Sequence, residues 1–441
     1  MSRIPLLAAL ALGACARGER PAAGAGHEGH GAHGAPLVVS AATENGATPM
    51  FLTTGAGARV VSWVSAPGGG AEGVLHVSVT PRHGAAAEPT ATIRDPLGPI
   101  EPHGEAPPQL AADSAGRLYA LYAVGKEVPG SRFPVSALRL VRSEDGGRTW
   151  SAPVTVNEAG KHGDFGAHNF HALLALPDGR LVATWLLNER GQSGVALSRS
   201  ADFGRTWEPT RMAYREPTCP CCRTAIAAGP DGALYLAWRA IFPGDVRDVV
   251  VMRSGDGGET WDAPVKPRED GWVFPGCPHA GPSLKVDAEG RVHIAWWHGK
   301  AGEAGVYYAN SADGGRTFAA QPLAVGERSS PAHVQLALAP AGRVAVAWDD
   351  GHSALPRILL RRSADGGDRF APEELLSDGE AAGTFPVLAV VGDSLCVAWS
   401  QMTEAAHREK LARAVDMKDP KAVMTLPRVG QSEIMMRMVG L

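Results

Sequence analysis

Two short segments carry most of the reactive side chains in this sequence. One reads PTCPCCRTA and holds Cys219, Cys221, Cys222 and Arg223; the other reads GCPHAGPS and holds Cys277 and His279. Four of the six cysteines of the chain fall there. Thiols in this pattern support three chemistries. Cys277 paired with Cys221 or Cys222 would form a disulfide, stapling two units of the fold in an oxidising compartment. Thiolates together with imidazole suit copper(I) or zinc. A thiol left free of both would serve redox chemistry or touch a substrate. Leaving Cys15 aside, five cysteines remain, so at least one stands outside any intramolecular disulfide, and Cys396 in the apolar run SLCVAW reads as that buried spare.

The elements that must position these residues are set by a repeat. The stretch SEDGGRTW at Ser143 returns as SADFGRTW at Ser200, SGDGGETW at Ser254, SADGGRTF at Ser311 and, eroded, SADGGDRF at Ser363. The starts lie 57, 54, 57 and 52 residues apart, which means one supersecondary unit is reused. Each copy supplies an Asp (Asp145, Asp202, Asp256, Asp313, Asp365) and glycines for a tight turn between two β-rich runs.

A second marker, an aromatic inside an alternating strand, keeps the same period: Trp63, Tyr122, Trp185, Trp238, Trp296, Trp348 and Trp399. One repeat is therefore four short strands: a, then b with its aromatic, then c, the turn box and d. Units of this kind repeated radially predict an all-β fold, a β-propeller of seven four-stranded blades, or six if the terminal units share a blade. The first unit is expected over about residues 49–95 and the last over about 385–426, both without a box. Glycine and proline, 54 and 34 of 441 residues, suit such a turn-rich chain.

Aligning the repeats on the strand b aromatic shows where the reactive residues meet. Nineteen positions before it stand His103, Cys219 and Cys277; seventeen before stand Glu105, His168, Cys221 and His279. His171, Cys222 and His333 lie near the same level, with Arg223 beside them. Equivalent positions in consecutive blades lie side by side around the axis, so these residues are the candidates for an axial face. Asp349, Asp350 and His352 follow a strand b exit and read as a solvated loop, with an acid pair for catalysis as the alternative. His162 and Asp164 precede a strand a, within reach of the channel mouth. Arg239 and Arg247 read as anion contacts or as surface charges.

The S-x-D-x-G-x-T-W box resembles the Asp box of the sialidase-like, or BNR-repeat, propellers. That resemblance places the boxes on the outer rim, away from any active site. It implies, for a working sialidase, three Arg on a substrate carboxylate, a Tyr nucleophile polarised by a Glu, and an Asp acid/base. The early F/Y-R-I-P motif of that family has only an echo here, in TIRDP around Arg94. The family's nucleophile comes from a late blade, whereas the last tyrosine is Tyr308, two blades short of the end; Tyr307 and Tyr308 read as packing residues. The two cysteine motifs look like those of a subgroup of exported sialidase-like propellers.

The N-terminus reads as an address. Arg3 and the apolar run 4–12 lead to Leu12-Gly13-Ala14-Cys15, which resembles a bacterial lipoprotein lipobox. Residues 1–15 are expected to be a signal peptide with Cys15 lipidated, or an ordinary one cut near Ala14; 16–36 a flexible tether; and 37–441 the propeller. His27, His30 and His33 in the tether are incidental or bind copper or zinc. The expected location is the cell envelope, with the membrane a partner through the lipid. A net charge of −4 and no basic stripe give no case for nucleic acid. The expected function is a ligand-binding or interaction module for a glycan or protein, with a Cys/His-rich axial site. The alternatives are an exo-α-sialidase-type hydrolase and an envelope protein that handles copper or zinc.

Overall fold

The computed structural model describes residues 36–40, 45–65, 73–82, 91–129, 134–160, 162–189, 192–326, 331–351, 355–415 and 432–441. Cys15, the tether histidines His27, His30 and His33, and His352 lie outside them.

Strand b explains the architecture. In blade five it is VHIAWWH, Val292–His298, and every side chain is buried. A strand apolar on both faces must be covered on both, and an isolated four-stranded sheet cannot do that. Blades therefore stack. The core around Trp348 of blade six includes Ala295, Trp297 and Tyr308 of blade five. All six strand b tryptophans are fully buried, and Tyr122 takes the same place in blade two. Truncating any of these tryptophans to Ala is worth about 3–5 kcal/mol.

Seven antiparallel sheets result, spanning 47–93, 109–155, 168–214, 225–254, 283–325 and 335–375, with the seventh built from both ends of the chain. Six have four strands; the fourth blade has three, and a Val251–Val265 bridge marks its outer position. The innermost strands contact one another in a closed ring, blade one touching both blade two and blade seven. Seven blades is thus the count, not six.

The last blade extends further than its sequence pattern. Strand a is Ala382–Val391, strand b Ser394–Met402, and strand c Ser432–Gly440, beyond residue 426. A helix, Glu404–Val415, follows strand b. The outer strand is Leu37–Val38, pairing with Met436 and Met435, so the two termini of the propeller close the ring in one sheet. Among the described residues no helix is long and apolar enough to cross a membrane.

Candidate functional site

The boxes sit on the rim as expected. In the first, Ser143 Oγ accepts from Gly147 N–H (2.8 Å) and donates to Asp145 (2.8 Å), which also accepts from Thr149 N–H (2.9 Å) and Thr149 Oγ1 (2.6 Å). The same bonds recur at Asp202, Asp256 and Asp313. The fifth box has Arg369 where the others have Thr, so Asp365 keeps only the backbone bond at that position, 2.9 Å. These residues build turns.

The axial face gathers the loops that lead into strands a. The loop of blade two, His103–Ala106, crosses to the other blades. Glu105, 1% exposed, accepts from Arg223 Nη1 of blade four (2.8 Å) and from Gly281 N–H of blade five (2.8 Å). Arg223 spends its other nitrogen on the Val334 carbonyl of blade six, 2.9 Å. Two glycines permit this convergence. A Cβ on Gly104 would lie 2.1 Å from Phe385 Cζ of blade seven, and one on Gly281 only 2.6 Å from Arg223 Cγ.

Around that carboxylate stand three imidazoles. His103 Nδ1 accepts from Glu105 N–H (3.1 Å), and its ring lies 5.7 Å from that of His279. His279 Nδ1 is buried without a hydrogen bond, and burial pushes its pKa down. His333 Nδ1 donates to Asp349 Oδ2 at 2.6 Å, while its Nε2 faces Glu105 Oε1 at 4.0 Å. Asp349 also accepts from the N–H groups of His333 (2.6 Å) and Phe385 (3.0 Å). Burial pushes the Asp349 carboxyl up, but His333 and these donors outweigh it and hold it below its ordinary value. Asp349 is therefore not in a solvated loop; it is a buried clip between blades six and seven.

Backbone strain collects at the same level. Phe170 (φ 58°), His279 (φ 50°) and Phe385 (φ 54°) are all left-handed, a costly conformation for residues with large side chains. Bulges beside Phe170 and Phe385 redirect the start of strand a toward the axis. The repeat alignment misses Phe170, Phe385 and Gly281; Pro386 beside Phe385 and Pro282 beside Gly281 were the available signals, and Phe170, between Asn169 and His171, has none.

The cysteines lie just behind this face. Cys219, Cys221 and Cys222 are buried with their sulfurs within 4.8 Å of one another. Cys219 Sγ is 3.5 Å from each of the other two, far beyond the ~2.05 Å of a disulfide, and no disulfide joins any of the five described cysteines. Cys277 is exposed and interacts with Cys221, which puts the two cysteine segments on neighbouring blades as the alignment requires. Cys396 is the buried thiol expected of it, its pKa pushed up to about 12 by burial.

Arg239 and Arg247 are not surface charges. Arg239 is fully buried and donates to the carbonyls of Arg247 (2.9 Å) and Ala280 (3.0 Å); Arg247 donates to Cys219 Sγ at 3.2 Å. His171 is fully buried near the carbonyls of Leu121 and Pro107, and burial lowers its pKa to about 4. His168 packs edge-on against Trp185. Asp164 accepts from Thr155 Oγ1 (3.1 Å), and His162 pairs with Phe165 in a short bridge. Arg94 is exposed beside the outer strand Ala91–Ile93 of blade one. The six tyrosines lie on strands b, c or d, and none lies on an innermost strand.

A family profile described as a BNR repeat-like domain matches residues 74–270. No curated protein matches the chain by sequence. Among solved structures, a Dyadobacter fermentans protein of unknown function is 15% identical, covers 92% of this chain and 98% of its own, and superposes with a TM-score of 0.54. A polysaccharide lyase of family PL25, an ulvan lyase seen bound to -[GlcA(1-4)Rha3S]-, is 13% identical over 81% of this chain and 92% of its own, TM-score 0.55. The Hadza microbial sialidase Hz136 is 16% identical over 86% and 76%, TM-score 0.46. At these identities the likeness is one of fold.

Proposed function

We propose that this chain, a sialidase-like BNR-repeat β-propeller, is an exported, lipid-anchored binding module that takes a carbohydrate segment over the axial loops of blades two, five and six. One observation carries the reading. Asp349 fixes Nδ1 of His333, leaving Nε2 opposite Glu105 Oε1 at 4.0 Å, too far for a hydrogen bond. A ligand hydroxyl set between them donates to Nε2 when the ring is neutral; when the ring is protonated it accepts from Nε2–H and donates to the carboxylate, the double role a sugar hydroxyl fills. The His333 side chain is 15% exposed, so the gap is reachable, and Phe385 packs on its ring at 3.9 Å.

The reading is of binding without sialidase chemistry. That chemistry needs a tyrosine and three arginines at one carboxylate-sized opening. Here the tyrosines hold packing places, Arg223 is committed to Glu105 and Val334, and Arg239 and Arg247 are committed to carbonyls and sulfur. The lipobox ending at Cys15 and the tether 16–36 support export and anchoring.

Calorimetric titration of the chain with neutral and uronic oligosaccharides tests the binding, the uronic ones chosen from the lyase of like fold. Binding that His333→Ala weakens by ~10-fold or more is expected, since a hydrogen bond to a charged pair is worth about 1.5–3 kcal/mol. No binding to any member, or binding indifferent to His333, sinks the reading. Turnover of a fluorogenic sialoside refutes its non-hydrolytic part. Cys15→Ser should move the protein from the membrane to the soluble fraction; an unchanged distribution refutes anchoring.

A further inference from the structure

The three buried thiols behind the axial face have no role in that reading. Cys219, Cys221 and Cys222 come from one turn between Pro217 and Arg223, with exposures of 0%, 4% and 0%. Their sulfurs are mutually within 4.8 Å, with no disulfide among them. A single buried Cys packs as a small hydrophobe, and these three do pack with Ala106, Phe170, Leu186 and Trp238. Three from one turn with their sulfurs drawn together, and Arg247 donating to one of them at 3.2 Å, are more than packing requires.

We propose that Cys219, Cys221 and Cys222 form a trigonal all-sulfur site for one copper(I) ion. Three arguments select the ion. Thiolates are soft ligands, which favours copper(I), zinc or iron–sulfur clusters over harder ions. The donors mutually within 4.8 Å are three sulfurs, with no imidazole or carboxylate among them. Structural zinc is almost always four-coordinate and catalytic zinc keeps a water in the fourth position; the buried triad supplies three ligands, the number a trigonal copper(I) ion takes.

Charge points the same way. Arg247 Nη1 donates to Cys219 Sγ at 3.2 Å, and Arg239 is held beside it by its bond to the Arg247 carbonyl (2.9 Å). With all three sulfurs ionised, three negative charges meet copper(I) and two guanidinium ions, and the sum is zero. Zinc in the same place leaves a buried positive charge. Binding is ligand exchange only: the thiol protons of the triad go to solvent and no electron moves.

The structure also supplies a route. Cys277 is exposed and interacts with Cys221, whereas Cys221 is buried. A thiol at the surface next to one in the core lets copper(I) pass by exchange between sulfurs. Cys277 therefore governs loading, and the triad governs affinity.

The test is a titration of the full chain with copper(I) under anaerobic, reducing conditions, against a chromophoric chelator. The tether is silenced by His27→Ala, His30→Ala and His33→Ala. One copper(I) per chain is expected, with an X-ray absorption shell of three sulfurs. Cys222→Ser or Cys221→Ser should weaken binding by more than ~100-fold, beyond what outer partners of a metal site cost. Cys277→Ser should leave the equilibrium affinity unchanged and slow loading, while Cys396→Ser should change neither. Failure to compete with the chelator overturns the site without depending on any variant folding. So does binding that survives loss of Cys222. A four-coordinate zinc site that includes Cys277, or a stable disulfide within the triad of freshly isolated protein, overturns the copper(I) assignment. Carbohydrate binding is measured separately, so either site can fail alone.

Discussion

Arg223 Nη1 donates to Glu105 Oε1 at 2.8 Å across 118 residues of chain, tying the axial loop of blade four to that of blade two. The side chains are 7% and 1% exposed, so neither charge is answered by water. Removing one partner strands the other in the interior, at about 3–5 kcal/mol, whereas replacing both by neutral groups costs far less. Arg223→Met should therefore lower the urea midpoint sharply, and Arg223→Met with Glu105→Gln should recover much of the loss. Additive losses in the double variant would show that the two residues act separately.

Asp349 answers three donors at once: the N–H and Nδ1 of His333 and the N–H of Phe385. Asp349→Ala leaves all three unpaired in a buried place, with an expected cost of about 3 kcal/mol or more. Asp349→Asn keeps an acceptor but turns part of the group into a donor, so its cost should be smaller. Chemical denaturation of the two variants ranks them. In the carbohydrate titration both should lose affinity, because Nε2 of His333 is aimed only while Nδ1 is held.

The difference between what the sequence announces and what it hides is instructive at these residues. The blades were legible because each repeats two marks, the box and the strand b aromatic, and packing demands both at every turn of the ring. The lining of the axis was legible only by level. Alignment placed His103, Glu105, Cys221 and His279 together, since equivalent positions of neighbouring blades adjoin. It could not tell Arg239 or Asp349 from surface charges. Both directly follow the buried strand b tryptophan, where the side chain turns inward, and both are kept by hydrogen bonds to distant groups. The final strand c escaped notice because the helix Glu404–Val415 breaks the spacing that every other blade keeps.

Glu101 gives the fold a pH dependence on its alkaline side. Burial pushes its carboxyl up to about 7, although Ser136 Oγ donates to it at 3.0 Å. A carboxyl whose folded value lies above its unfolded one stabilises most below the unfolded value, near 4.5. That contribution is lost as pH rises through 7. Glu101→Gln removes the ionisation and should stabilise the protein at pH 8 by about 1–3 kcal/mol, the upper end being the full shift and the lower allowing for its half-buried position. At pH 4.5 the variant and the parent should denature together. An equal gain at both pH values would mean that shape, not charge, is responsible.

The boxes should set the acid limb. In the second, Asp202 accepts from Ser200 Oγ (2.8 Å), from the N–H groups of Arg205 (3.0 Å) and Thr206 (2.9 Å), and from Thr206 Oγ1 (2.6 Å). Burial pushes its carboxyl up, but these donors prevail and hold it at about 2. Here the sign is opposite to that of Glu101. A depressed carboxyl stabilises fully above its unfolded value of 3.8, and the contribution disappears as pH falls through 2. Asp145, Asp256 and Asp313 are held down in the same way, led by the Thr hydroxyl of each box. The boxes should thus lose their grip together between about pH 4 and 2. Asp202→Asn should lower the melting temperature at pH 7 and make the decline below pH 4 shallower than in the parent. Arg369→Thr, which restores the missing hydroxyl to the fifth box, should do the reverse: a gain at pH 7 and a steeper acid limb. Melting curves across that range decide it, and parallel limbs in all three proteins would move the origin of acid sensitivity away from the rim.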